Sequence, residues 1–292
     1  MNSDLFPGFA VTKARVNGMD IPFVRAGSGP PLLLAHGHPQ THAIWHKTAG
    51  ALAQRYTVIA SDLRGYGDAS KPAGSPDHST YSKREMARDQ YELMHSLGFQ
   101  KFSVVGHDRG GRMAHRLAMD YPRAISKLIV LDISPTLAMY EQTDMAFASA
   151  YWHWFFLIQP APLPETLIGA NPEAYLRAVM LRGESNPFAP DAWEEYVRAL
   201  RDRACVHAIC EDYRAATTVD LEHDRADRDA GRKVECSVRV LWGRYGVIER
   251  CFDPVNDWRR VASDVTGRAL ECGHYIPEEA PEALREEIEA FI

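Results

Sequence analysis

Val104-Val105-Gly106-His107-Asp108-Arg109-Gly110-Gly111-Arg112 is a short apolar run that breaks into a glycine-bracketed turn. It resumes as Arg112-Met113-Ala114-His115-Arg116-Leu117-Ala118. The stretch reads as a buried strand, a tight turn and a helix. That is the pattern of a nucleophile elbow, Gly-x-nucleophile-x-Gly, whose small residues let the turn approach its neighbours closely. The exposed central residue here is a carboxylate. An aspartate in that place also serves as a helix N-cap. Gly106 and Gly110 on either side, with a strand before and a helix after, favour the nucleophile. A carboxylate is ionised at neutral pH and needs no base. It can displace a leaving group from carbon and form an ester. The helix N-terminus and the adjacent Arg109 both favour its anionic form.

Outward from the elbow the chain alternates. Residues 10–25 form a hairpin pattern turning at Asn17-Gly18. Pro31–Ala35, Tyr56–Ser61, Phe102–Val105, Leu128–Leu131 and Val238–Gly243 are continuous apolar runs, as in strands buried on both faces of a parallel sheet. Helical patterns lie between them, near 44–53, 83–97 and 254–261. A short strand near 268–270 and a closing helix from about 281 complete the chain. This predicts an α/β fold with a doubly wound, mostly parallel sheet, with ligands at the carboxyl ends of its strands. The alternation stops between 134 and 232, where the sequence is helical and rich in aromatics. That span reads as an inserted α-helical cap, with 1–133 and 233–292 forming the core.

Composition sets bounds. The chain has 292 residues, 46% hydrophobic and 25% charged, enough for a large core. Its net charge of -6 argues against nucleic-acid binding, although a local basic pocket for a small anion is compatible with it. Five scattered cysteines without Cys-x-x-Cys spacing fit a reduced, cytoplasmic setting. No leader pattern and no membrane-length apolar run is found, so no membrane partner is expected.

Other residues extend the chemistry. His274, in Gly273-His274 after the last strand, stands where a base belongs in the chain order nucleophile, acid, histidine. It would activate water against an ester on Asp108. Asp132, closing the Leu128–Leu131 strand, is preferred over Glu249 as the acid that orients it; a capping role is the alternative. Arg109 and Arg112, at i and i+3, share a face of the elbow helix. Their forks would hold a small carboxylate by bidentate hydrogen bonds, against a structural pairing role. The backbone N–H groups of His38 and Arg109 are candidates for an oxyanion hole. Asp62, Arg64 and Gly67 read as loop architecture. In Tyr151-Trp152-His153-Trp154-Phe155-Phe156 most aromatics are core, but His153 and Trp154 carry ring N–H donors suited to a leaving halide.

With these residues in view, the chain resembles the haloacetate dehalogenases of the α/β-hydrolase superfamily, a group that includes fluoroacetate dehalogenases. The likeness rests on His36-Gly37-His38-Pro39-Gln40, Gly106–Arg112, Leu131-Asp132-Ile133, His153-Trp154, Gln159–Pro164, Cys210-Glu211-Asp212-Tyr213-Arg214 and Gly273-His274. It implies Asp108 as nucleophile, His274 as base, Asp132 as its partner, Arg109 and Arg112 on the substrate carboxylate, and His153 and Trp154 around the halide. It calls for no metal or cofactor, and a homodimer is compatible with it. Fluoroacetate enzymes complete the halide pocket with a tyrosine shortly after Asp-Tyr-Arg. Counting forward puts Thr218 there, which predicts chloro- and bromoacetate as better substrates than fluoroacetate. The rival readings are an epoxide hydrolase, for which Tyr151 and Tyr213 are the candidate tyrosines, and a non-catalytic α/β-hydrolase receptor.

Overall fold

The computed structural model describes residues 3–181 and 186–292. Eight strands form one sheet: β1 Ala10–Val16, β2 Met19–Ala26, β3 Pro31–Ala35, β4 Thr57–Ser61, β5 Phe102–His107, β6 Ile125–Leu131, β7 Ser237–Gly243 and β8 Val265–Leu270. Their order is β1-β2-β4-β3-β5-β6-β7-β8, with β1 and β2 antiparallel and β3 to β8 parallel. The apolar runs explain this order. β4 and β5 are buried at every residue, as central strands covered by helices on both faces must be. β8, at the edge, is buried only at its two ends and exposed or half-buried between them. The hairpin turns at Asn17 and Gly18, both at positive φ (47° and 74°), as a two-residue turn between twisted strands requires.

Two details differ from the sequence expectation. The segment near 44–53 is not one helix. It is a 3-10 turn, His42–Trp45, followed by a four-residue helix, Ala49–Leu52. The loop after β7 contains a short helix, Val247–Cys251. Between β6 and β7 the described chain is helical, from Thr136–Glu141 through Arg203–Thr217 to Val219–Asp229. Arg203–Thr217 is the most central of these. Asp202 caps its N-terminus by accepting from the Ala204 N–H at 2.9 Å, and residues 208–216 are all buried.

The elbow is where backbone meets backbone. A Cβ on Gly110 would lie 2.4 Å from the carbonyl oxygen of His36 and 2.5 Å from that of Ala35. One on Gly106 would lie 2.6 Å from the Gly110 carbonyl oxygen. Helix propensity alone makes Gly110→Ala stabilising by roughly 0.5–1 kcal/mol. The clash reverses the sign, because neither carbonyl belongs to a movable side chain. Urea unfolding should show Gly110→Ala less stable by about 1–3 kcal/mol; a gain would refute the packing account.

Burial also sets a pH dependence. His38 and His107 are pushed down to about 3 and His115 to about 4, in each case chiefly by burial. A histidine lowered in the fold takes up its proton more readily when unfolded. Stability is therefore full above the unfolded value and falls as pH drops below about 6.5, by up to about 1.4 kcal/mol per histidine per pH unit. The Asp220 carboxyl, raised by burial, works in the opposite sense. Urea unfolding at pH 5 should give a stability roughly 2–4 kcal/mol below that at pH 7. An unchanged value would contradict neutral burial of these rings.

Candidate active site

Asp108 ends β5 and opens the helix Arg109–Asp120, at φ 46° and ψ -114°. Such a backbone costs a non-glycine residue about 1–3 kcal/mol. Its amide still donates to the Leu131 carbonyl at 3.2 Å, and its carbonyl accepts from Arg112 N–H at 3.1 Å. The side chain makes no capping bond to the helix. It turns instead toward β3, where Oδ2 accepts the His38 N–H at 3.0 Å. Gly37 makes that approach possible, since a Cβ there would lie 2.6 Å from Cβ of Asp108. Burial pushes the Asp108 carboxyl up, but His274, Arg112, His107 and Arg109 together outweigh it and hold it below the usual carboxylate range. The group is a buried anion.

Behind it, His274 Nδ1 lies 2.5 Å from Asp132 Oδ2. The other Asp132 oxygen accepts the Gly243 N–H at 2.9 Å, and its own amide donates to Leu241 at 2.7 Å. Asp132 is thus locked between β6 and β7, at φ 52°. A carboxylate only accepts, so the proton sits on Nδ1 and His274 Nε2 is left as the basic nitrogen. His107 steadies the loop, donating through Nε2 to the His274 carbonyl at 2.9 Å. Glu249 is elsewhere: it is exposed and accepts from Trp242 Nε1. A cavity of about 330 Å³, lined by Met180, Tyr245, Arg250 and Glu279 among others, reaches His274 from outside.

The arginines are placed as expected but not free as expected. Arg109 grips Asp212 through Nε (3.0 Å) and Nη2 (2.6 Å), and Nη2 also meets the Asp212 carbonyl at 2.9 Å. Arg112 gives Nη1 to Ser134 O (3.2 Å) and Thr136 Oγ1 (3.0 Å), and Nη2 to Met139 Sδ (3.1 Å). Two open forks for a bidentate carboxylate are therefore not present. What remains is one buried nitrogen on each, Arg109 Nη1 and Arg112 Nε, without a partner among the described residues.

Aromatic faces hold both cations in place. Arg109 lies over the Tyr213 ring at 4.2 Å and Arg112 over Trp154 at 4.6 Å. Trp154 Nε1 and Tyr213 Oη are buried and have no partner among the described residues. Burial, with Asp108 next, raises the Tyr213 phenol well above its ordinary value, so it stays a donor. The His153 and Tyr213 ring centres are 6.2 Å apart. His38, whose Nε2 is 3.1 Å from the Tyr175 hydroxyl, closes the side.

Thr218 is a correction. It caps the C-terminus of Arg203–Thr217, where its hydroxyl donates to the Arg214 carbonyl at 2.8 Å. It lines an outer depression with His78, Pro160 and Glu211. The tyrosine beside Trp154 and His153, its ring centre 6.2 Å from each, is Tyr213, which the count from the motif passed over. The predicted handicap for fluoride loses its basis. Asp62 and Arg64 do serve the loop: Asp62 accepts from the His42 N–H at 2.9 Å, and Arg64 pairs with Asp89 at 2.6 Å.

The α/beta hydrolase fold model matches residues 30–244. A fluoroacetate dehalogenase of Burkholderia sp is 44% identical, over 97% of this chain and 94% of its own length. A soluble epoxide hydrolase of Corynebacterium sp. (strain C12) is 34% identical over 92% of each. Among solved structures, a Nostoc sp PCC 7120 protein assigned to the alpha/beta hydrolases superposes with a TM-score of 0.96 at 54% identity, covering 98% of both chains. The chain belongs to the α/β-hydrolase family and is akin, over nearly its whole length, to a fluoroacetate dehalogenase.

Proposed function

We propose that this chain hydrolyses haloacetates to a 2-hydroxy acid, halide and a proton. The observation that carries the reading is a cluster of buried groups around Asp108, an anion, in which four donors have no partner among the described residues: Arg109 Nη1, Arg112 Nε, Trp154 Nε1 and Tyr213 Oη. Each arginine gives one edge to the substrate carboxylate, which leaves the α-carbon toward Asp108. A carboxylate oxygen of Asp108 attacks that carbon, the carbon–halogen bond breaks, and the halide leaves toward Trp154, Tyr213 and His153. His274 Nε2 then takes a proton from water, and the hydroxide attacks Cγ of the Asp108 ester. The His38 amide, which donates to Asp108 Oδ2 at 3.0 Å, is the first oxyanion donor in this reading. The Arg109 amide, at the first helical position, is the second donor. The ester C–O bond at Cγ breaks, the hydroxy acid leaves with the former Asp108 oxygen, and the extra proton departs through His274. The helices of residues 134–232 act as the cap that keeps bulk water from the first step.

Epoxide hydrolysis is the second reading. It is favoured by the Tyr213 hydroxyl and by Tyr151, whose hydroxyl is 3.4 Å from His274 Nδ1. An epoxide carries no carboxylate and gives the buried arginine nitrogens no partner, which weighs against it.

Halide release from fluoro-, chloro- and bromoacetate, with a simple epoxide in parallel, tests the proposal. Release from the haloacetates with no epoxide opening is expected; the reverse would support the second reading. Removing one donor to a developing anion costs roughly a hundred- to a thousand-fold in rate. Tyr213→Phe should lose that much with fluoroacetate and less with bromoacetate. Thr218→Val should leave all three rates near wild type. A loss at Thr218 and none at Tyr213 would overturn the assignment of the halide pocket.

A further inference from the structure

The charges around the pocket balance only if a residue outside it is included. Asp108, Asp132 and Asp212 are buried carboxylates, while Arg109 and Arg112 are the two buried guanidiniums facing them. Three carboxylates against two guanidiniums leave that count net negative, and an anionic substrate would add to it. The missing cation is Lys83, at the start of the helix Lys83–Ser96 and almost fully buried. Its ammonium donates to Asp212 Oδ1, the same oxygen that takes Arg109 Nη2 at 2.6 Å. The other oxygen accepts Arg109 Nε at 3.0 Å and the Tyr66 hydroxyl at 2.7 Å. One carboxylate therefore serves two cations.

From this shared carboxylate we infer that Lys83 sets the site's preference for an anionic ligand, acting through Asp212 and Arg109 without touching the ligand. The inference rests on the carboxylate-binding reading above. If Asp212 answered to Arg109 alone, the pair would present little net charge to the pocket. Because Lys83 takes up part of Asp212, Arg109 keeps its charge for whatever meets Nη1. Lys83 is thus a positioning residue of the electrostatic kind. Asp220 is the other acid close to it, accepting the Lys83 N–H at 2.8 Å. Burial drives the Asp220 carboxyl toward its neutral form, so it does not cancel the ammonium in full. Asp224 and Asp227, further along, are held by Arg116 at 3.0 and 2.7 Å. Burial, then Arg109, lowers the Lys83 pKa, as expected for a cation held beside another.

The test is calorimetric binding of glycolate and of its neutral analogue glycolamide to the intact protein. It needs no turnover. Lys83→Met removes the charge and keeps the stem, and Lys83→Gln keeps a donor for Asp212. A unit charge on the order of 8 Å away, at an effective dielectric near 20, changes anion affinity by roughly ten- to thirty-fold. Both variants should weaken glycolate by that factor and leave glycolamide unchanged. Lys83→Met combined with Asp212→Asn removes one charge of each sign and should regain most of the glycolate affinity. A merely structural lysine predicts the opposite, a double variant worse than the single one. Where a single variant fails to fold, the double variant and wild type decide: the double must still prefer glycolate over glycolamide. Equal losses for both ligands, an unchanged glycolate affinity, or a double variant that does not recover would overturn the role of Lys83. Wild type binding glycolate no better than glycolamide would instead overturn the carboxylate site itself.

Discussion

The structure depends on the turn at Asp108. A non-glycine residue at positive φ is held there by backbone on three sides: the Leu131 carbonyl on its amide, the Arg112 amide on its carbonyl, and the His38 amide on its carboxylate. Gly37, Gly106 and Gly110 leave no room for a Cβ in that contact. The same turn aims the first helical residues, Arg109 and Arg112, into the space above Asp108. The proposed nucleophile and the proposed anion donors are therefore one construction. A shift in the turn would displace all of them together.

Around it, buried charges offset one another in layers. Asp108 stays ionised although burial opposes it, because its neighbours, with His274 and Arg112 first, favour the anion. Asp132, just past β6, is held by two bonds to β7 while it orients His274. Asp212 fixes Arg109 so firmly that one nitrogen is left for a ligand. The arrangement sacrifices the freedom of each side chain for a pocket whose few remaining polar groups point inward. Such preorganised donors act on a developing charge without having to reorient during the reaction.

Much of this was legible in the sequence. The parallel strands announce themselves because burial on both faces removes the alternation of polar residues. Asp108, Asp132 and His274 follow from their places at strand ends. Two features were not legible, for geometric reasons. Thr218 lies five residues beyond Tyr213, just past the end of the helix Arg203–Thr217, where its hydroxyl turns back to the Arg214 carbonyl and it lines an outer depression, while Tyr213 is fully buried. A count along the chain cannot distinguish those places. The Arg109 fork was misread because its partner, Asp212, lies a hundred residues further on, in a helix whose docking no local pattern records, and the Arg112 fork because it is taken up by Ser134, Thr136 and Met139 beyond β6. For the same reason Lys83, an ordinary residue near the start of a helix in the sequence, gave no sign of its place beside Asp212.

The central claim is that Asp108 bonds to the substrate carbon. A single turnover of chloroacetate with excess enzyme in heavy-oxygen water tests it directly. The account predicts glycolate whose hydroxyl oxygen is unlabelled, with the label recovered in the peptide that contains Asp108. Labelled glycolate with an unlabelled Asp108 would mean that water attacks the substrate itself, and would contradict the account.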